Sequence, residues 1–205
     1  MSRPLVLSCS PRRNGNCDTA ASLFMQGMGL EPRLPADKSP VDFLALREYS
    51  ILPCISCGQC ARFSGGPCPQ EGKDDSGPLL KALYLAPAFC FVAPIYFYHL
   101  PSQFKAFIDR GQPQWAIRQT VENAAMPPER KAWIILVGAR EKGEKLFEGS
   151  LLTLRYWLKP FGIELAPPLC LYGMDGREDL AGDEESKGWV LDYAATARQA
   201  FGGPA

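Results

Sequence analysis

Cys54, Cys57, Cys60 and Cys68 fall within fifteen residues and make up half of the eight cysteines in the chain. Their spacing is C-x2-C-x2-C-x7-C. Thiolates at x2 intervals can wrap one face of a metal cluster, and the Gly65-Gly66-Pro67 turn lets a fourth arrive from the other side. Zinc is the alternative metal, although structural zinc sites more often use two short pairs split by a longer spacer. A redox-active thiol pair, or a segment that holds no metal, is the reading without a site.

A second group of residues suits an anion. Ser8-Cys9-Ser10-Pro11-Arg12-Arg13-Asn14-Gly15-Asn16-Cys17 runs from an apolar strand into a helical segment. The start of a helix presents unpaired N–H groups and the positive end of its dipole, which favour a phosphate. Ser10 and Asn16 can donate further hydrogen bonds, Arg12 supplies charge, and Gly15 permits a tight backbone. A polar turn that merely caps a helix uses the same residue types. A third group, Pro94-Ile95-Tyr96-Phe97-Tyr98, is an aromatic-rich loop, and Gly138-Ala139-Arg140 is a fourth segment that ends a strand. Read by themselves, the aromatics of the third group are core or interface residues. His99, the sole histidine, is expected as an exposed loop residue. Lys105, Asp109 and Arg110 are expected to form ion pairs or caps rather than to do chemistry.

The elements that must position these groups alternate. Strands are expected at Pro4–Ser8, Val41–Leu46, Phe89–Pro94, Lys131–Gly138 and, interrupted by proline, Ile163–Tyr172. Helices are expected at Asn16–Leu30, Leu79–Leu85, Pro101–Arg110, Leu146–Leu158 and Ser186–Phe201, with Asp74-Asp75-Ser76-Gly77-Pro78 as a helix start. This alternation implies a parallel sheet with helices on both faces, whose ligands bind beyond the C-terminal ends of the strands. The segment Gly111–Arg130 is long for a connection and is expected to serve an oligomer interface or to cover a neighbouring subunit's site.

The whole chain sets bounds. Its 205 residues suit one domain over 1–205, with 47–73 as a cysteine-rich loop. The formal net charge is zero, with 22 basic and 22 acidic residues, which argues against nucleic acid or an anionic membrane surface as the main partner. The N-terminal apolar run is too short for a signal peptide and no stretch has the length of a membrane span, so a cytoplasmic protein is expected. In a reducing compartment clustered cysteines favour metal or redox roles over disulfides.

Ser10-Pro11-Arg12-x-x-Gly15-Asn16-Cys17 resembles the phosphate-binding loop of the NADPH-dependent FMN reductase family, with Cys17 where that family usually has a hydroxyl residue. Pro94-x-Tyr96 and the later Lys105-x-Phe107-x-Asp109-Arg110 resemble the family as well. The cysteine run is similar to that of bacterial ferredoxins, C-x2-C-x2-C-x3-C-P, down to Pro69 after the last cysteine. Together they resemble the iron–sulfur flavoprotein subgroup over roughly residues 4 to 172. The resemblance implies an α/β flavodoxin-like three-layer sandwich, a five-stranded parallel sheet of order 2-1-3-4-5 with the cysteine loop inserted after strand 2. It implies FMN held by Ser10, Arg12, Gly15, Asn16, Cys17, Pro94, Ile95, Tyr96, Phe97, Tyr98 and Gly138. It also implies a 4Fe–4S cluster held by Cys54, Cys57, Cys60 and Cys68. The implied protein is a homodimer or homotetramer, an FMN-dependent oxidoreductase passing electrons from ferredoxin or another small carrier to an acceptor, with no protein nucleophile. The alternatives are a cluster-free NAD(P)H-dependent FMN or quinone reductase and a zinc-stapled binding module.

Overall fold

The computed structural model describes residues 4–30, 43–120 and 130–200. The elements, in order, are β1 (Leu5–Ser8), α1 (Asn16–Gly27), β2 (Phe43–Ala45), α2 (Gln59–Arg62), α3 (Ser76–Leu85), β3 (Ala88–Pro94) and α4 (Ser102–Asp109). They continue as α5 (Gln112–Thr120), β4 (Arg130–Val137), α6 (Glu148–Leu158), β5 (Ile163–Leu165), β6 (Leu169–Leu171), α7 (Asp179–Gly182) and α8 (Glu184–Ala200). All strand pairs are parallel, in the order β2-β1-β3-β4-β5, and β6 also pairs with β4. This is the flavodoxin-like α/β arrangement.

β3 and β4 are apolar along almost their whole length because both faces of the sheet are covered. The period of two sorts their side chains. Leu5, Leu7, Phe89, Phe91, Ile134 and Leu136 pack with α3, α4 and α6 on one face. Val6, Cys90, Val92, Trp133, Ile135 and Val137 pack with α1 and α8 on the other. The α1–α8 contact is close: a Cβ on Gly27 would stand 2.6 Å from that of Ala194. α1 stops at Gly27, short of the expected Leu30, and Gly29 turns the chain away with φ +69.

The expected last strand is two strands. Ala132 faces Leu165 and Ile135 faces Leu169, so 166–168 insert one extra residue opposite 133–134. Pro167 and Pro168 have no N–H to give the ladder. Tyr193 of α8 fills the gap: its hydroxyl accepts the Ile134 N–H at 3.2 Å and donates to the Pro167 carbonyl at 2.7 Å. Tyr193→Phe leaves both groups unpaired and is expected to lower stability by about 1–3 kcal/mol, read as a shift in the denaturant midpoint. A change under about 0.5 kcal/mol would show that water replaces the hydroxyl.

Other expectations shift too. The long connection after Gly111 contains α5, which starts with Pro113 at its second position, where proline suits a helix. The rest of that segment, 121–129, lies outside the described residues, as do Val41, Asp42 and Phe201. α6 begins at Glu148 rather than Leu146, and the short α7 had no counterpart in the sequence reading. Among the described residues no helix is long and apolar enough to cross a membrane.

Candidate functional site

The loop after β1 is fixed from below. Cys9 N–H donates to the Val92 carbonyl at 2.8 Å, tying the loop to β3. Arg47, just beyond β2, forms a two-point ion pair with Asp18 at 3.0 and 2.9 Å. Its guanidinium also reaches the Ser10 carbonyl at 3.3 Å. Asp18 in turn accepts the Ser8 hydroxyl at 2.6 Å and the Asn14 N–H at 2.8 Å. The bidentate geometry and partial burial make this a rigid clamp rather than a loose surface pair.

Above the clamp lies a small cavity of about 80 Å³ whose lining includes Ser10, Arg12, Gly15, Asn16 and Cys17, with Pro94, Ile95 and Tyr96 from the loop after β3. α1 opens onto it with no side-chain cap. The cradle thus offers helix N–H groups and the Arg12 charge, a donor set that fits a phosphate. Two residues play other parts than expected. Asn16 has no side-chain donor to spare, since its amide donates to the Met174 and Gly176 carbonyls at 3.2 and 2.7 Å and accepts the Leu180 N–H at 3.1 Å. It staples the loop after β6 to the cavity wall. Gly15 has φ −116, open to any residue; the space is what matters, because a Cβ there would meet Arg12 Cδ at 3.2 Å. Burial, aided by the neighbouring Asp18 charge, pushes the Cys17 thiol up to about 12, so it stays protonated.

The loop after β3 forms a tight turn. Tyr96 and His99 exchange backbone hydrogen bonds at 2.9 and 3.0 Å. Between them Phe97 and Tyr98 take φ +50 and +62, the left-handed region that normally selects Asn or Gly. Each such residue costs on the order of 1–3 kcal/mol and persists only where its surroundings hold it. Phe97 is 103% exposed, so its side chain does nothing for the fold. His99 is half-buried rather than exposed; its Nε2 lies 3.1 Å from the Thr153 hydroxyl and so ties the turn to α6. A second cavity of about 260 Å³ opens here, lined by Ile95, Phe97, Tyr98, Gly138, Ala139 and Arg140 with Leu146. It shares Ile95 and Ala139 with the small cavity. Space at Gly138 is tight: a Cβ would lie 2.9 Å from Leu146 Cδ2, and that side chain would have to shift.

The cysteine loop leaves the C-terminal end of β2 and is bolted at its base. Ser50 and Asp75 exchange hydrogen bonds, and Leu52 N–H donates to Asp74 at 2.8 Å. Asp74 pairs with Arg110 at the end of α4, and Arg110 donates to the Leu52 carbonyl at 3.2 Å. Gln70 closes the loop by donating to the Pro53 carbonyl at 2.9 Å. Between these ties Ser56, Gly58, Ser64 and Gly65 all take positive φ. The resulting coil wraps a cavity of about 410 Å³ lined by all four cysteines together with Asp109, Arg110 and Pro113. Cys54 and Cys57 are exposed, Cys60 and Cys68 half-buried. Ser56 N–H points at Cys54 Sγ, 3.4 Å away. Four thiols on one cavity fit a thiolate-bound metal or cluster by their chemistry. As they stand, no three metal-binding side chains among the described residues are grouped so as to hold one ion. The cysteine cavity shares no lining residue with the other two.

The expected salt-bridge role of Lys105, Asp109 and Arg110 is what the structure shows, with Lys105–Asp109 at 2.6 Å. Arg47, Asp74 and Asp75 anchor these loops although nothing local in the sequence marks them as anchors. The Asp74-Asp75 doublet has the pattern of a helix start, and α3 does begin at Ser76.

The chain resembles known proteins in three ways. The sequence model of the NADPH-dependent FMN reductase family matches residues 3–146. An iron-sulfur flavoprotein of Methanocaldococcus jannaschii is 28% identical over 107 residues, 52% of this chain and 50% of that protein. The chain thus spans about half the length of this curated relative. Among solved structures, the NAD(P)H:quinone oxidoreductase from Methanothermobacter marburgensis superimposes with a TM-score of 0.66 at 17% identity, covering 100% of this chain and 98% of that one. An FMN-dependent NADH-azoreductase from Bacillus anthracis str. Ames Ancestor, in complex with FMN, gives 0.66 at 14% identity, covering 97% and 100%. These two likenesses establish the fold. With its model matched over more than two thirds of the sequence, the chain belongs to the NADPH-dependent FMN reductase family.

Proposed function

We propose that this chain is a redox flavoprotein that binds FMN at the two joined cavities and a 4Fe–4S cluster at the cysteine cavity. It would pass electrons from ferredoxin or another small carrier to an acceptor, in a dimer or tetramer. The observation that carries this reading is the gathering of Cys54, Cys57, Cys60 and Cys68 on one cavity in a chain of a flavin-binding family. When bound, the cluster supplies one-electron transfer and the flavin exchanges one or two electrons; the protein supplies position and electrostatics.

The chain's own residues divide the work. The uncapped start of α1 and Arg12 hold the phosphate, with the Arg47–Asp18 clamp keeping the loop in shape. Pro94 to Tyr98 and Gly138 wall the ring, and the exposed Phe97 and Tyr98 keep water from one side. Arg110 and Asp74 hold the base of the cysteine loop. Removal of Arg12 in Arg12→Ala is expected to weaken FMN binding about 10–150-fold, from the loss of a charge-assisted hydrogen bond of about 1.5–3 kcal/mol. Riboflavin, which lacks the phosphate, should bind both proteins alike in a fluorescence titration. Equal losses for FMN and riboflavin would remove Arg12 from the phosphate site.

The second reading is a cluster-free NAD(P)H-dependent FMN or quinone reductase. It is favoured by the separation of the four thiols and by the flavin and quinone reductases among the structural likenesses. Anaerobic reduction of the FMN-loaded protein separates the two. Flavin bleaching by reduced ferredoxin and not by NADPH supports the first reading, and rapid bleaching by NADPH without iron supports the second.

A further inference from the structure

The guanidinium groups near the candidate flavin site fall into two sets. Arg13 pairs with Glu48, Arg47 with Asp18, and Arg110 with Asp74. Arg12 and Arg140 line the joined cavities and take part in no ion pair among the described residues. Arg12 sits at the phosphate end. Arg140 sits at the other end, where no phosphate is expected.

Arg140 is nonetheless held in place. Its backbone carbonyl accepts the Gly173 N–H at 2.9 Å. Its Nη1 donates to the Tyr98 hydroxyl at 3.2 Å, and its guanidinium carbon lies 5.5 Å from the centre of the Tyr98 ring. Tyr98 holds this position with φ +62. A residue kept in a strained backbone with its ring beneath an arginine points to a use for that arginine. The neighbouring carboxylate, Glu141, lies beside Gly173, where its Cγ would be 3.8 Å from a Cβ. The cavity wall therefore presents an exposed cation, held on the Tyr98 ring, that no carboxylate pairs among the described residues; a flavin ring seated against it would cover it from water and strengthen its field.

We propose that Arg140, resting on Tyr98, makes the ring cavity prefer reduced, anionic FMN over oxidised FMN. This rests on the reading that FMN lies in the joined cavities. A flavin ring that takes up two electrons and only one proton gains one negative charge, and a cation facing it binds that form better than the neutral oxidised form. By linkage, the preference raises the potential at which the bound flavin is reduced. Arg140 is then a tuning group at the cofactor and not a proton donor.

The test uses the whole chain, wild type and Arg140→Gln, Arg140→Lys and Tyr98→Phe. Oxidised FMN is titrated by fluorescence. The midpoint of bound FMN is measured anaerobically by dithionite titration against a reference dye. Arg140→Gln is expected to bind oxidised FMN like wild type but reduced FMN about tenfold more weakly, a midpoint about 30 mV lower for a two-electron couple. Arg140→Lys should recover most of the shift, and Tyr98→Phe should show part of it. The melting temperature of the FMN-free variants should match wild type, which excludes a folding defect. A midpoint independent of Arg140, or equal losses for oxidised and reduced FMN, would overturn this inference alone. A wild-type chain that binds no FMN would overturn the functional reading and this inference with it.

Discussion

Replacing Asp74 by alanine lowers the stability of the chain by about 3–5 kcal/mol, the cost of stranding a buried cation. The Asp74 side chain is fully covered and that of Arg110 is 4% exposed. Asp74 also accepts the Leu52 N–H at 2.8 Å and the Ser76 hydroxyl at 2.7 Å. One carboxylate therefore joins the first limb of the cysteine loop, the start of α3 and the end of α4. Small domains have about 5–15 kcal/mol in total, so the loss is a large share. The double variant Asp74→Leu/Arg110→Met should regain much of it, because no charge is left unpaired. Chemical denaturation of the three proteins checks this, and a loss under about 1 kcal/mol in the single variant would mean that water reaches Arg110.

The same carboxylate sets an acid limit. Burial raises its pKa, but the Ser76 hydroxyl, the Leu52 and Ser76 N–H groups and the Arg110 charge outweigh burial and hold it below the ordinary 3.8. A group depressed in the folded state contributes stability above its unfolded value and loses it as pH falls through the folded value. Asp74 should therefore stabilise fully above about pH 4 and fail below that, and Asp74→Ala should flatten this part of the pH–stability curve.

Serine at Cys57 or Cys60 should abolish iron binding, taking an anaerobic preparation from about four irons per chain to under one. A hydroxyl is not deprotonated under these conditions and is a poor ligand for iron beside three thiolates. FMN content should be unchanged, since the cysteine cavity shares no lining residue with the two cavities proposed for FMN. Cys170→Ser is the control. Burial pushes the Cys170 thiol up to about 11 and it lies in β6, outside the cysteine cavity, so its loss should leave iron untouched. Iron retained in both loop variants would sink the cluster assignment, and about one zinc per chain in the wild type would replace it with a structural zinc site.

Much of this was legible in the chain itself. β3 and β4 declared themselves because strands covered on both faces must be apolar throughout. The short β5 and β6 were read as one strand because the stitch between them comes from Tyr193, whose contacts lie 26 and 59 residues away. The residues expected in the phosphate loop do line one cavity, but the Asn16 side-chain amide is bonded within the fold. Its partners are 158 and 160 residues distant, and no local pattern shows them. Asp74 and Asp75 look like helix-start acids in sequence. Only the fold reveals that they also clamp Leu52 and Ser50. The four cysteines were legible as a group, while their spacing in the folded loop, where no three metal-binding side chains among the described residues come together, was not.

The proposed function stands or falls with FMN and a four-cysteine cluster sharing this chain. The measurement that tests it most directly is the FMN, iron, sulfide and zinc content of the 205-residue chain purified without oxygen, together with its absorption spectrum. About one FMN, four irons and four sulfides per chain are expected. FMN with neither iron nor sulfide would contradict it and leave a flavin or quinone reductase of the same family.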